Sequence, residues 1–303
     1  MRILVIGATG LLGRVLLEEW RGEDTVIGVG SHDLDIRNRP QLERYLAEFK
    51  PHWTLLLAAY TDVDGCEENP QLAREVNYVG ATNVALAARQ AGSKLLFVST
   101  DYVFDGQKKT PYETGEETCP INNYGRSKAD AEKSIREILP ECCIVRTSWL
   151  FGANGRCFPN TILELASWQK KLRVVSDQFG SPTYNRDLAR AMVKLVGAEA
   201  RGVIHARNEG ECSWYDFARE ILQTANFCEV TIEAIRTEDF PRPAARPRYS
   251  VLSIASLANY GIGMRPWTST LGDYFTDRDK QTKSQSSPRE VTQMAPTPSK
   301  ERS

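Results

Sequence analysis

The chain has 303 residues, and its 38 basic and 39 acidic side chains leave a formal net charge of −1. Without a basic tract there is no electrostatic basis for binding nucleic acid, and no apolar run approaches the roughly 20 residues of a membrane span. The sequence begins directly with an apolar strand rather than a signal peptide, and its seven cysteines include no C-x-x-C pair. We therefore expect a cytoplasmic protein with reduced thiols that binds neither nucleic acid nor membranes.

Short apolar runs alternate with amphipathic segments through the first 150 residues. This alternation is typical of a parallel sheet that is covered by helices on both faces. The predicted strands lie at 2–6, 25–29, 53–58, 94–99 and 142–147. The predicted helices lie at about 11–20, 40–49, 70–91 and 122–138.

After residue 150 the alternation is less regular. We predict further strands at 172–175, 203–206 and 230–235, and helices near 185–197 and 214–226. The fold class is therefore α/β, with a Rossmann-type doubly wound parallel sheet and a smaller C-terminal substrate-binding subdomain. The predicted boundaries are 1–150 for the dinucleotide-binding domain, with returning segments near 170–205, then 151–277 for the subdomain and 278–303 for a disordered tail.

A glycine-rich turn follows the first strand, with glycines at positions 7, 10 and 13. This spacing, between a first strand and a first helix, allows a tight turn and a close approach of the backbone to a pyrophosphate. The helix N-terminus adds N–H donors and the positive end of a dipole. The sequence therefore predicts a dinucleotide site formed by Gly7, Gly10, Leu11, Leu12 and Gly13.

The end of the second strand bears on the choice of nicotinamide cofactor. NAD-specific sites usually have an acidic residue there, whereas this strand leads into Ser31 and His32, with Asp33 and Asp35 slightly beyond. Ser31 and His32 leave room for a 2′-phosphate, with which Arg14 either pairs or remains a solvated helix residue. The sequence favours NADPH and leaves NADH open.

Tyr124 and Lys128 are one helical turn apart, so their side chains face the same way. Because an ammonium beside a phenol favours the phenolate, we expect Lys128 to lower the pKa of Tyr124 below its usual value of about 10. Ser99 and Thr100 end the preceding strand, where a hydroxyl can bind the same substrate oxygen. These residues predict an acid/base device that reduces a carbonyl or oxidises an alcohol. Asn77, in the helix between them and the third strand, is interpreted as a surface or capping residue.

On these motifs the chain resembles the extended short-chain dehydrogenase/reductases. Within them it is most similar to the dTDP-4-dehydrorhamnose reductases, which reduce a 4-keto sugar nucleotide to dTDP-L-rhamnose. The likeness extends from residue 7 to about residue 275. The segments that carry it are AAYTDVD at 58–64, STDYVF at 99–104, YGRSK at 124–128, RTSW at 146–149, DQFGSPT at 177–183 and WYDF at 214–217.

The resemblance implies a role for each site residue. Tyr124 donates a proton to the sugar C4 oxygen, Lys128 holds the nicotinamide ribose, and Thr100 hydrogen-bonds the reacting oxygen. Together with the glycine loop and the strand ends, the resemblance gives as predicted cofactor contacts Gly7, Gly10, Leu11, Leu12, Gly13, Ser31, Asp35, Ile36, Ala59, Tyr60, Thr61, Ser99, Tyr124 and Lys128. The implied substrate contacts are Val63, Thr100, Asp101, Tyr102, Tyr124 and Trp149, of which Trp149 either faces the deoxysugar or is an ordinary core residue.

One local feature separates the reductases from related nucleotide-sugar 4,6-dehydratases. The dehydratases follow the strand-end Thr with Asp-Glu, whereas Asp101 and Tyr102 follow Thr100 here, which favours carbonyl reduction over elimination. The family can bind an interfacial Mg²⁺ through glutamates, one of them early in the first helix. Arg14 and Val15 stand at that place, so we assign no metal ligands and leave Mg²⁺ open.

Two other functions remain open at this point: a reductase of another nucleotide-4-ketosugar, and a non-catalytic regulatory subunit of the methionine adenosyltransferase type. The arginines at 242, 246 and 248 either reach the substrate diphosphate or belong to a solvated loop. By analogy with its relatives the chain is expected to form a homodimer.

Overall fold

The computed structural model describes residues 1–20, 22–153 and 155–286, with side chains as far as residue 281. Its central element is a six-stranded sheet in which every neighbouring pair is parallel. The strands are β1 (Arg2–Ile6), β2 (Thr25–Val29), β3 (Trp53–Leu56), β4 (Lys94–Thr100), β5 (Cys143–Thr147) and, from later in the chain, β10 (Gly202–His205). Their order across the sheet is β10-β5-β4-β3-β1-β2.

Both faces of this sheet are buried, each by its own hydrophobic core. Successive residues of a strand point to opposite faces, so they enter the two cores alternately. Along β1, Ile3 and Val5 belong to one hydrophobic core while Leu4 and Ile6 belong to the other. Such doubly buried strands explain the continuous apolar runs in the sequence. The prediction of a doubly wound α/β sheet is confirmed.

Helices from different parts of the chain cover the two faces. The first core includes residues of α1 (Gly13–Glu19) and α8 (Asn185–Gly197), and the second includes residues of α2 (Arg39–Phe49), α5 (Ala81–Ala91) and α6 (Asn123–Ile138). Shorter helical segments precede α5. They are α3 (Val63–Glu68), α4 (Pro70–Ala73) and a π-helix at Arg74–Gly80.

A second, smaller body has its own core around Phe151, Phe217 and Tyr274. Within the described residues its α-helices are α7 (Phe158–Ala166), α9 (Trp214–Thr224) and α11 (Leu271–Ser286), whereas α10 (Ala255–Ala258) packs against β10 of the main sheet. Its short strands are β6 (Leu150–Phe151), β7 (Lys171–Val175), β8 (Phe179–Gly180), β9 (Thr183–Tyr184), β11 (Cys212–Ser213) and β12 (Thr231–Ile235). The strands form three pairs, β6 with β9, β7 with β12 and β8 with β11. The chain returns to the main sheet through α8 and β10, and Leu257 of α10 also lies in the core beside α1.

Several predictions need correction. The segment 70–91 is not one helix, because the π-helix interrupts it, and α3 was not predicted. Residues 172–175, expected within a returning segment, pair with β12 rather than with the main sheet. The tail predicted from residue 278 is helical as far as Ser286 as part of α11, and its remainder, 287–303, lies outside the described residues.

None of the helices in residues 1–20, 22–153 and 155–286 combines the length and the apolar character that crossing a lipid bilayer requires. All seven cysteines are free thiols, and Cys142 and Cys143 are buried as expected.

Candidate active site

The site lies where the strand order reverses. β1 leads to β2 on one side while β3 follows on the other, and open α/β sheets bind ligands in the crevice at such a point. Gly7 closes the turn with a φ of +96°, and its N–H donates to the Val29 carbonyl at 2.9 Å. A Cβ at Gly7 would lie 2.5 Å from the Ala58 nitrogen, and one at Gly13 would lie 2.3 Å from the Gly7 oxygen. The loop therefore needs glycine, and it forms the backbone cradle that a dinucleotide requires.

A cavity of about 760 Å³ extends from this loop to Tyr124, Lys128 and Trp149. Of the residues predicted for the site, Tyr60 does not line it. Its phenol oxygen lies 2.1 Å from the position that a Cβ on Gly65 would take, and its backbone N–H donates to Asn77 Oδ1 at 2.7 Å. The predicted residues that do line the cavity are Gly7, Gly10, Leu11, Leu12, Gly13, Ser31, Asp35, Ile36, Ala59, Thr61, Val63, Ser99, Thr100, Asp101, Tyr102, Tyr124, Lys128 and Trp149.

At the end of the cavity near β2 the structure adds a cation that the sequence interpretation missed. Arg37 lines the cavity, and its Nη2 lies 2.8 Å from Asp35 Oδ2 in an ion pair. This pairing lowers the pKa of Asp35 below its ordinary value. Arg14 instead donates from Nε to the Thr9 carbonyl at 2.8 Å, and it does not line this cavity.

Local chemistry sets the start of the helix that bears Tyr124 and Lys128. Asn122 caps α6, because its Oδ1 accepts the Gly125 N–H at 2.8 Å while its Nδ2 donates to the Ala245 carbonyl at 2.8 Å. A Cβ on Gly125 would lie 2.0 Å from the Tyr102 carbonyl oxygen. The helix thus begins pressed against the segment that follows β4, which brings the Tyr124 and Tyr102 rings edge to face at 6.0 Å.

Burial raises the pKa of Tyr124 above its ordinary value, and a hydrogen bond with Thr100 offsets this rise in part. The prediction that Lys128 lowers the Tyr124 pKa is therefore wrong in this structure. The reason is geometric, since Lys128 Nζ donates to the Val98 carbonyl at 2.7 Å and lies 4.0 Å from the centre of the Phe97 ring. At neutral pH the phenol keeps its proton.

Lys128 itself is buried, and burial lowers its pKa to about 7 while Glu132 opposes the change. Glu132 lies one turn further along α6 and pairs with Arg146 of β5 at 2.6 Å. The Ser99 hydroxyl donates to Glu132 Oε1 at 2.5 Å. The strand end with Thr100 and the helix with Tyr124 are therefore joined behind the cavity by a buried charged group.

Trp149 adopts a left-handed backbone conformation, with a φ of +43°. Its indole stacks on Trp214, with ring centres 3.4 Å apart and planes within 5°, and a Cβ on Gly180 would lie 2.3 Å from it. Both indoles line the cavity, so Trp149 presents an apolar wall. Sequence analysis missed Trp214 as a site residue, although it stands in the WYDF segment.

Asn77 is 1% exposed and lies within the π-helix, which corrects its interpretation as a surface residue. Its side chain bonds the backbone N–H and carbonyl of Tyr60, and its Nδ2 donates to Ser127 at 3.1 Å. Single π-turns occur often at functional sites. Here the side chain connects the loop after β3 to α6.

The arginines of 240–248 do not line the cavity. Arg242 and Arg246 both pair with Asp64, the Arg242 Nε at 2.8 Å, and they hold the pKa of Asp64 well below its usual range. These ion pairs connect the 240–248 loop to α3, which contains Asp64.

Comparison with known proteins identifies the family. The family model described as the RmlD substrate binding domain matches residues 1–279. The chain belongs to this family. The resemblance to dTDP-4-dehydrorhamnose reductases inferred from the sequence is thereby confirmed.

Curated relatives of the RmlD family cover nearly the whole chain. The spore coat polysaccharide biosynthesis protein SpsK of Bacillus subtilis is 37% identical, over 91% of this chain and 98% of that protein. The dTDP-4-dehydrorhamnose reductase of Mycolicibacterium smegmatis is 37% identical, over 90% and 84%. The dTDP-4-keto-6-deoxy-D-glucose reductase of Streptomyces niveus is 36% identical, over 90% and 96%.

A solved structure of the same family has the same fold. The dTDP-4-dehydrorhamnose reductase of Bacillus anthracis, in complex with NADP, superposes with a TM-score of 0.88 at 39% identity, over 91% of this chain and 98% of that one.

The first helix has Arg14 and Val15 at the place where the resemblance implies a metal-binding glutamate. Glu18 and Glu19 of α1 pair with arginines of α8, Glu18 with Arg186 at 2.8 Å and Glu19 with Arg190 at 3.0 Å. Within the described residues, no three His, Cys, Asp or Glu side chains lie together as a metal site. Arginine–carboxylate pairs occupy this surface.

Proposed function

We propose that this protein reduces the C4 keto group of dTDP-4-dehydro-β-L-rhamnose to give dTDP-L-rhamnose, with NADPH as the hydride donor. The observation that carries the proposal is that one cavity brings Thr100, Tyr124 and Lys128 together with the glycine loop. The membership of the RmlD family and the relatives named as reductases support the same reaction.

Each residue around the reacting carbon has its own role in the proposed reduction. When bound, the reduced nicotinamide supplies a hydride to C4. Tyr124 gives its phenolic proton to the C4 oxygen, and because burial raises its pKa the proton is present at neutral pH. Thr100 hydrogen-bonds the same oxygen, and Lys128 holds the ribose so that the carbonyl lies in line. Trp149 excludes water on the remaining side.

For the cofactor, Arg37 favours NADPH over NADH. It adds a guanidinium to the cavity beside the ribose-binding end, where an arginine accommodates a 2′-phosphate. The NADP complex of the Bacillus anthracis relative supports this choice. Arg37→Ala is expected to reduce kcat/KM for NADPH about tenfold or more and to leave kcat/KM for NADH nearly unchanged. Equal losses with both cofactors would argue against a 2′-phosphate contact.

The test of the function is direct. The purified protein is mixed with dTDP-4-dehydro-β-L-rhamnose generated in situ, and oxidation of NADPH and NADH is followed by absorbance in parallel. We expect consumption of NADPH and formation of dTDP-L-rhamnose, with Tyr124→Phe as the inactive control. No oxidation above that control, together with co-purification of a synthetase, would indicate the regulatory-subunit alternative instead.

A second candidate is the reduction of another dTDP-4-keto-6-deoxysugar. The Streptomyces niveus relative carries such a name at almost the same identity as the rhamnose enzyme. A panel of C3 and C5 epimers distinguishes the two, because the preferred substrate has the highest kcat/KM. Homodimerisation and a cytoplasmic location stay predictions, of which the first is tested by light scattering.

A further inference from the structure

Asp101 is a buried carboxyl group that follows Thr100 at the end of β4. It is 2% exposed, and within the described residues no lysine, arginine or histidine pairs with it. Its two oxygens contact two hydroxyl groups. Thr100 Oγ1 lies 3.1 Å from Oδ1, and Ser250 Oγ donates to Oδ2 at 2.5 Å. Ser250 is 1% exposed and reaches the site from a distant part of the chain.

The hydrogen bonds of Thr100 depend on the charge of this carboxyl group. A threonine hydroxyl has one proton and accepts at most two hydrogen bonds. The Tyr102 N–H donates to Thr100 Oγ1 at 3.2 Å, which uses one acceptor position. If Asp101 is ionised, it takes the only proton of Thr100, and Thr100 then has none for a substrate ketone. If Asp101 is protonated, Oδ1–H fills the second acceptor position. The Thr100 proton is then left for Tyr124, with which Thr100 hydrogen-bonds in the cavity, or for a ketone oxygen bound between them.

We propose that Asp101 works as a neutral carboxylic acid, held by Ser250, that donates to Thr100 and so aims the Thr100 hydroxyl at the ketone oxygen. Asp101 and Ser250 are positioning residues in this arrangement, since they act through Thr100. The inference rests on the proposed reduction of a ketone.

The surroundings of Asp101 favour its neutral form. Burial raises its pKa to about 7, against the opposing hydrogen bonds from Ser250 and Thr100. The titratable groups that face Asp101 are Tyr102 on its own segment and Tyr124 on α6. Arg246 of the 240–248 loop faces Tyr102. Because a raised carboxyl pKa stabilises the protonated form, the productive arrangement is complete below about pH 7 and is lost as the pH rises through that value.

Two substitutions of Asp101 test its role. Asp101→Asn keeps the shape, its oxygen can accept from Ser250, and its amide can donate to Thr100 at any pH. We expect kcat at about pH 7 to fall no more than about threefold in Asp101→Asn and about thirtyfold or more in Asp101→Ala. The ratio of kcat in Asp101→Asn to that in the wild type should rise between about pH 6 and about pH 9. Because Lys128 titrates in both the wild type and Asp101→Asn, its effect on kcat cancels in this ratio.

Ser250 has a matched control. Ser250→Ala removes the donor that holds Oδ2 in place, so kcat below about pH 7 should fall about tenfold with the affinity for NADPH retained, and Ser250→Thr should restore most of it. Because the Ser250 hydrogen bond opposes the rise in the Asp101 pKa, its loss should also move the decline of kcat to higher pH. Ser253, three residues further on, contacts the Ala255 N–H instead, and Ser253→Ala should match the wild type. Equal effects of the two alanine variants would overturn the role of Ser250.

Infrared difference spectra of wild type minus Asp101→Asn give a readout that does not depend on turnover. A protonated-carboxyl C=O band below about pH 7, lost at higher pH, is expected. An Asp101→Asn variant as inactive as Asp101→Ala, or a carboxylate band at low pH, would refute the proposal. If the wild type oxidises no NADPH with the ketosugar but shows the band, the proposed function fails while the neutral acid stands.

Discussion

The buried ion pair behind the catalytic helix provides the strongest test of the packing. Glu132 and Arg146 have side chains only 5% and 3% exposed, and they are joined by contacts of 2.6 and 3.0 Å. The guanidinium otherwise meets the Phe104 ring at 5.1 Å and the His205 Nε2 at 3.4 Å. Burial and the neighbouring Arg146 charge lower the pKa of His205 to about 3, so its imidazole is neutral and adds no second cation beside Arg146. Glu132→Gln therefore leaves a buried cation without its anion.

The expected magnitude follows from this burial. Removing one partner of a buried pair costs about 3–5 kcal/mol, because the remaining charge stays out of water. At about 2–3 °C per kcal/mol for a chain of this size, Tm should fall by roughly 6–15 °C. Lys128 also loses the attraction of Glu132, so its pKa should decrease further.

The assay is thermal unfolding followed by circular dichroism, with urea unfolding as a second measure. Glu137→Gln is the control, since this residue is exposed on the same helix and should change stability by no more than about 0.5 kcal/mol. A Glu132→Gln variant less than about 1 kcal/mol below the wild type would show that water or a local rearrangement compensates Arg146, and the reasoning from burial would be refuted.

The remaining predictions concern the cavity. Tyr124→Phe should lower kcat by about 10²–10⁴-fold while NADPH still binds, as measured by its fluorescence, and near-normal turnover would exclude Tyr124 as the acid. Wild-type affinity for NADPH should weaken as the pH rises through about 7, where Lys128 loses its charge, and titrations of Lys128→Met should be weaker and lack this dependence. Gly180→Ala should displace the stacked indole of Trp149, raise KM for the ketosugar and lower stability by about 1–3 kcal/mol, whereas Gly197→Ala has open space and should not. Unchanged near-ultraviolet circular dichroism in Gly180→Ala would contradict this packing.

The strands of the main sheet could be predicted because their burial on both faces leaves continuous apolar runs in the sequence. The π-helix at Arg74–Gly80 could not, since a single wide turn barely changes the helical periodicity of apolar residues. Its consequence, the buried Asn77, was therefore missed. The glycine loop was predictable at the level of single residues, because the crowding around Gly7 and Gly13 permits no side chain.

Long-range contacts explain the other differences. Ser250 and Asp101 are 149 positions apart in the chain, and no local sequence pattern predicts their contact. For Lys128, helical spacing correctly placed the side chain on the face of Tyr124, but spacing does not determine where a flexible ammonium points. The Val98 carbonyl of β4 lies within reach of the ammonium, and Lys128 binds it rather than the phenol.

The protonation states around Thr100 share one physical cause. Burial penalises every charged form, so Tyr124 stays a phenol and Asp101 becomes an acid near neutrality, while Lys128 is close to losing its charge. Burial thus leaves a protonated phenol in the cavity at neutral pH, which is the form that can donate a proton to a ketone oxygen. Donation leaves a phenolate, and oxidation of the alcohol would start from the same phenolate, so burial sets the resting protonation state and not the direction of the reaction. The direction follows from the redox state of the bound nicotinamide.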